Sequence, residues 1–141
     1  MHEECTRAAR PGATTAEVDA AARAVLERRG ARSNFLGYHG FPAVICASPN
    51  EVVVHGIPGD REIKEGSLVS VDAGAIWEGW HADAARTFYV GEAPAAVAKL
   101  IASTRAALDA GIAVARPGAT IEEVSGAIED VAAAAGLGVV R

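Results

Sequence analysis

Two acidic residues, Asp72 and Asp83, stand inside one apolar hairpin, Leu68 to Val90 (LVSVDAGAIWEGWHADAARTFYV), whose strands meet at Glu78-Gly79. With Glu78 and Gly79 as the central turn residues, Trp77 pairs with Trp80, Asp72 falls opposite Ala85, and Gly74 falls opposite Asp83. Side chains alternate along a strand, so Asp83 and Ala85 share a face and the two acids become diagonal neighbours on it. Carboxylates held side by side on a half-buried sheet repel unless a cation lies between them, and a divalent metal is the expected occupant. The competing reading is a solvated acid on the polar face of an edge hairpin. Against it, the run Leu68, Val69, Val71, Ala73, Ala75, Ile76 around Asp72 reads as buried on both sides, where Asp is disfavoured. Oxygen ligands alone favour Mg, Mn or Fe(II), and one imidazole would admit Co or Zn.

The residues before the hairpin add further groups. Val44-Ile45-Cys46 reads as a short buried strand, Ser48-Pro49-Asn50 as a turn, and Glu51 to His55 as a second strand stopped by Gly56 and Pro58. His55 would then sit at a strand end, where an imidazole can reach a cleft, although a lone histidine there is more often a rim residue. His39 lies between Tyr38 and Phe41 and has the same two readings; His81 shares a face with Asp83 and is by spacing a third candidate ligand. Cys46, flanked by Ile45 and Ala47 without a glycine-rich turn, reads as a core or pocket-lining thiol before a nucleophile. No G-x-S-x-G, Walker or G-x-G-x-x-G pattern occurs, so serine hydrolase and nucleotide-binding readings lack support.

The elements that must position these groups come from a repeat. Ala9-Arg10-Pro11-Gly12-Ala13-Thr14 recurs 106 residues later as Ala115-Arg116-Pro117-Gly118-Ala119-Thr120. Thr14 with Glu17, and Thr120 with Glu123, have the spacing of a capping box, so each begins a helix. Val18, Ala21, Ala22, Val25 and Leu26 map onto Val124, Ala127, Ile128, Val131 and Ala132 as core-facing stripes, and Gly30 and Gly136 end both helices. A preceding amphipathic helix is expected over about Ala95 to Ala115, with Leu100, Ile101, Thr104, Leu108 and Ile112 on one face. The repeat predicts an α+β domain of two related halves, the first over about residues 1–90 and the start of the second over 91–141. The helix before the first Pro-Gly element is largely missing and the second half stops at Arg141, which maps onto Phe35, so the domain is expected to be truncated at both ends.

Composition bounds the rest. The 141 residues suit one domain. A net charge of -5 with scattered Lys and Arg gives no nucleic-acid footprint. No run reaches a membrane span, the first residues lack an apolar signal region, and two cysteines outside any C-x-x-C pair fit a reducing, cytoplasmic setting.

Taken in order, Gly37-Tyr38-His39-Gly40-Phe41-Pro42, Asn50-Glu51-Val52-Val53-Val54-His55-Gly56-Ile57-Pro58, Val71-Asp72 and Gly79-Trp80-His81-Ala82-Asp83 resemble the first half of the type I methionine aminopeptidases, in the M24 metallopeptidase group. The resemblance implies the pita-bread fold, with two pseudo-symmetric halves and the second incomplete here. It implies a site for two divalent metal ions (Co, Mn, Fe or Zn), with Asp72 chelating one and Asp83 bridging both. It also implies that His55 contacts the substrate near the scissile amide, and that Tyr38, His39, Phe41 and Cys46 wall the pocket for the methionine side chain. Phe41 stands where many relatives have Tyr, Ala84 where a small hydroxyl residue is common, and His81 matches a position that is not a ligand. The implied substrate is the N-terminal Met of nascent peptides, with transient ribosome proximity and no membrane. The family's His ligand, in a Gly-His-Gly motif, and its two Glu ligands would lie beyond Arg141, so this chain alone is expected to be inactive. Two alternatives on the same scaffold are an Xaa-Pro peptidase, disfavoured by the Y-H-G-F-P and H-G-I-P segments, and a non-catalytic binding protein, disfavoured by the presence of Asp72, Asp83 and His55.

Overall fold

A computed structural model describes residues 1–140; Arg141, and with it the last position of the repeat, lies outside the described residues. The chain divides into two compact units, Met1–Glu92 and a second that begins at Ala93.

In the first unit, helices α1 (His2–Ala8) and α2 (Thr15–Arg29) precede a sheet of four strands: β1 (Arg32–Ser33), β2 (Ile45–Pro49), β3 (Leu68–Trp77) and β4 (Trp80–Tyr89). All pairings are antiparallel. β4 pairs along the whole of β3, and the opposite edge of β3 is shared, with β2 against residues 69–73 and β1 against 75–76. One cluster forms the core: Cys5, Val18, Ala22 and Leu26 from the helices meet Val44, Ile45, Ala47, Val69, Val71 and Ala73 from the sheet. Each fully buried Val or Ile contributes about 1.5–3 kcal/mol.

β3 departs from expectation. Val69, Val71 and Ala73 are buried, but Ser70 and Asp72 on the other face are only half-buried, so the strand has one buried face. Alanines at 73 and 75 extend the apolar run without demanding burial on both sides. Glu51 to His55 is not a strand. The chain turns at Asn50 (φ 55°) and crosses solvent with Val53 and Val54 more than 60% exposed, and His55 (φ 58°) interrupts the extended run again.

In the second unit, α3 (Ala95–Val114) packs on α4 (Ile121–Ala134). The predicted helices are present, but the contact uses a different stripe of α3. Ala107 and Gly111 are buried, whereas Leu108 and Ile112 are half or more exposed. Gly111 decides this: a methyl group there would lie 2.8 Å from Ile128 Cγ1, so its bareness lets α4 approach along that line.

The repeat carries through to the hydrogen bonds. Thr14 and Thr120 both form complete capping boxes with near-identical backbone angles (φ -95°, ψ 160° and φ -90°, ψ 159°). The C-terminal pairs also correspond: Gly30 N–H to Glu27 O and Ala31 N–H to Leu26 O recur as Gly136 to Ala133 and Leu137 to Ala132. Each glycine adopts positive φ, as a left-handed helix terminus requires.

Candidate metal and peptide site

The hairpin that carries the two acids turns at Glu78 (φ 50°) and Gly79 (φ 83°), both left-handed, the two-residue turn whose twist matches the flanking strands. That turn sets the register: Asp72 pairs with Ala85 and Gly74 with Asp83, so the acids are diagonal neighbours on one face. On the other side of β3, Cys46 pairs directly with Asp72 and joins the same face.

A loop held along β2 brings in His55. Ala47 N–H donates to Gly56 O (2.9 Å), and Gly56 N–H donates to Ser48 Oγ (3.0 Å). A side chain at 56 would drive its first carbon into the Ala47 carbonyl, so glycine is required beside His55. Downstream, Thr15 Oγ1 both donates to Gly59 O (3.0 Å) and accepts from Gly59 N–H (2.9 Å), tying the loop to the start of α2. His55 itself holds φ 58°, a strained conformation outside glycine that both anchors enforce. Across the sheet the order is therefore Cys46, Asp72, Asp83, with His55 on the loop beside β2.

A cavity of about 410 Å³ opens over this line, with Asp72, Asp83, His55 and Cys46 on its floor and side. Its remaining wall is apolar and aromatic: Phe35, Tyr38, Phe41 and Ile57. Phe35 and Phe41 meet edge to face with centroids 6.4 Å apart. Asn34 and Phe35 lie over the bare Gly74, where a Cβ would come within 2.9 Å of both, and Asn34 Nδ2 donates to Ala82 O (3.2 Å). Gly74 thus lets the aromatic wall close down beside Asp83.

Tyr38, Phe41 and Cys46 are among the residues that line the cavity, and His39 is not. His39 adopts φ 47° and sets its ring edge-on against the lining residue Tyr38 (centroids 4.4 Å). His81 pairs with Ile76 nearer the hairpin tip and is exposed, away from the acids' cavity. Phe35 and Ile57 were not anticipated as lining residues. Ile57 could have been read from the two-residue period that places it on the side of His55 in an extended segment; Phe35 had no local signal.

The electrostatics fit a cation. Asp72 is held above the ordinary carboxylate range, first by burial and then by neighbouring Asp83; the Ala73 backbone and His55 offset part of this. Burial and the charges of Asp72 and Asp83 likewise push the Cys46 thiol up. Two hard oxygen donors that destabilise each other suit a divalent ion. Among the described residues there is no group of three or more His, Cys, Asp or Glu that could hold a metal ion.

The profile of metallopeptidase family M24 matches residues 1–141. Methionine aminopeptidase 1 of Mycobacterium tuberculosis is 49% identical over 123 residues, which cover 86% of this chain and 46% of that protein. Methionine aminopeptidase 1 of Bacillus subtilis is 41% identical over 128 residues, covering 91% and 52%. The chain spans about half the length of the curated relatives it matches. Among solved structures, the methionine aminopeptidase of Thermotoga maritima superposes with a TM-score of 0.94 at 34% identity, over 99% of this chain and 56% of that one. Aminopeptidase P of Escherichia coli, at 23% identity and a TM-score of 0.83, shares the fold. The fold is accordingly α+β and of the pita-bread kind, no helix among the described residues is long and apolar enough to cross a membrane, and the chain belongs to metallopeptidase family M24.

Proposed function

We propose that this chain forms the first half of a metal-dependent methionine aminopeptidase, with units 1–90 and 91–141 contributing to two pseudo-symmetric halves. The observation that carries the reading is the joining, in one cavity, of a paired-carboxylate floor with an aromatic and thiol wall and a histidine at the side. Asp72 and Asp83 would hold the divalent metal, Co, Mn, Fe or Zn, in a site for two ions. When bound, the metal supplies Lewis acidity at the peptide carbonyl. Phe35, Tyr38, Phe41, Ile57 and Cys46 receive an unbranched thioether side chain and exclude water from it. His55, held rigid from both sides, donates a hydrogen bond to the carbonyl oxygen as charge develops there. The substrate is then a peptide with N-terminal Met.

The test joins this chain to the C-terminal half of the Bacillus subtilis relative and assays Met-Ala-Ser hydrolysis with Mn or Co, alongside metal titration of the chain alone. Metal-dependent cleavage that Asp83→Asn abolishes, with no cleavage of Xaa-Pro peptides, is the expected result. Hydrolysis that survives Asp83→Asn, or metal binding by the chain that is indifferent to both Asp72→Asn and Asp83→Asn, would refute the assignment.

A further inference from the structure

Asp19 is an acid on the core-facing side of α2, its side chain only 9% exposed. Its partners explain the position. Oδ1 accepts from the backbone N–H groups of Val44 (2.7 Å) and Ile45 (3.2 Å), and Oδ2 accepts from Arg23 Nε (2.8 Å). Arg23 Nη2 in turn donates to Pro42 O (3.2 Å). These contacts fall where the β3 edge changes hands: β2 pairs only from Ile45 onward, and β1 occupies the edge beyond. Backbone groups at such a junction lack strand partners and must be satisfied otherwise. Asp19 and Arg23 supply partners for residues 42, 44 and 45, and Ser33 Oγ donates to Val44 O (3.1 Å). Phe41 and Cys46, the residues immediately outside this clamped stretch, both line the cavity.

We propose that the Asp19–Arg23 pair is a positioning and specificity-determining device for the cavity, setting the spacing of Phe41 and Cys46 across the bound side chain. Neither residue touches the cavity. The identity of that side chain rests on the methionine aminopeptidase reading, whereas the wall geometry does not.

The test uses the metal-free chain and the rate of Cys46 alkylation by iodoacetamide, mapped by mass spectrometry, with fully buried Cys5 as an internal reference. Arg23→Ala and Asp19→Asn should each raise the Cys46 rate about tenfold with Cys5 still protected, and Arg23→Lys should raise it less than Arg23→Ala. The two variants change local charge in opposite senses, so a shared rise reports the wall and not the field at the thiol. Arg23 is partly exposed, which makes its truncation tolerable should Asp19→Asn fold poorly. Cys46 rates within twofold of the unaltered chain would overturn the proposal, as would Cys5 becoming reactive in parallel, since that marks general loosening. In the chimeric enzyme the same variants should raise KM for Met-Ala-Ser about tenfold with kcat nearly unchanged; a fall in kcat alone would also overturn it. Because the thiol readout needs neither metal nor turnover, its failure and the failure of the aminopeptidase reading are separable.

Discussion

The α1–α2 and α3–α4 helix pairs share their turns, caps and terminating glycines 106 residues apart, yet they bury different surfaces. In the first pair the close helix contact is made by Cys5, fully buried in a cluster with Val18 and Ala22. In the second the equivalents are Gly111, Val124 and Ile128, so volume has moved from one helix to the other. At two further equivalent positions of the second helix the contrast is sharper. Thr15 is 1% exposed and latches the His55 loop, while its equivalent Ile121 is 83% exposed. Asp19 is buried in its clamp, while its equivalent Ser125 is exposed. Caps and turns are thus local properties that survive divergence, whereas what a helix face does depends on the sheet it covers.

The largest test of that contrast is truncation at the equivalent positions 19 and 125. Asp19→Ala leaves two buried N–H groups and the Arg23 guanidinium without their acceptor, and should lower unfolding stability in urea by about 3–5 kcal/mol. Ser125→Ala should stay within about 0.5 kcal/mol, as an exposed substitution does. A comparable loss at both positions would dissolve the distinction between the two faces.

Exchange of volume across the helix contacts comes next. Ala22→Ile should overpack the first pair by about 1–3 kcal/mol, and adding Cys5→Gly should restore much of it; Gly111→Cys should do the same to the second pair, with Ile128→Ala as its rescue. Additive losses in the double variants, read from denaturant midpoints, would show that the two contacts are not equivalent. The caps provide a smaller comparison. Thr14→Ala and Thr120→Ala should each cost about 1 kcal/mol, with matching loss of helical circular dichroism if capping is local. Divergent costs would show that tertiary packing reaches the cap.

A further effect, a pH term seen only in alkaline solution, is confined to the first pair. Burial pushes the Cys5 thiol up to about 11 from 9.0. The folded state therefore keeps a proton that the unfolded chain releases, so this contribution is full below pH 9 and is lost as pH rises toward 11. Cys5→Ala should flatten the stability profile over that window, and an unchanged slope would show that the thiol is not the titrating group.

Much of the site could be read locally. A two-residue turn and strict alternation along the strands were enough to place Asp72 and Asp83 on one face, because hairpin register depends only on residues within the hairpin. The capping boxes and terminal glycines were legible for the same reason. Glu51 to His55 has the β-branched residues that favour a strand, but left-handed backbone at Asn50 and His55 bounds the segment and keeps it from extending.

The amino-acid order by itself determined the helix boundaries, the hairpin register, the pairing of the two acids and the internal repeat, since each arises from hydrogen bonds and side-chain periods spanning a few residues. Only the tertiary structure decided that Asp19 and Arg23 serve the β2 junction, that Gly56 and Thr15 pin His55, and that Gly74 admits Phe35 to the cavity. Those contacts join residues 8 to 44 positions apart in the chain, brought together by packing and not by any local period.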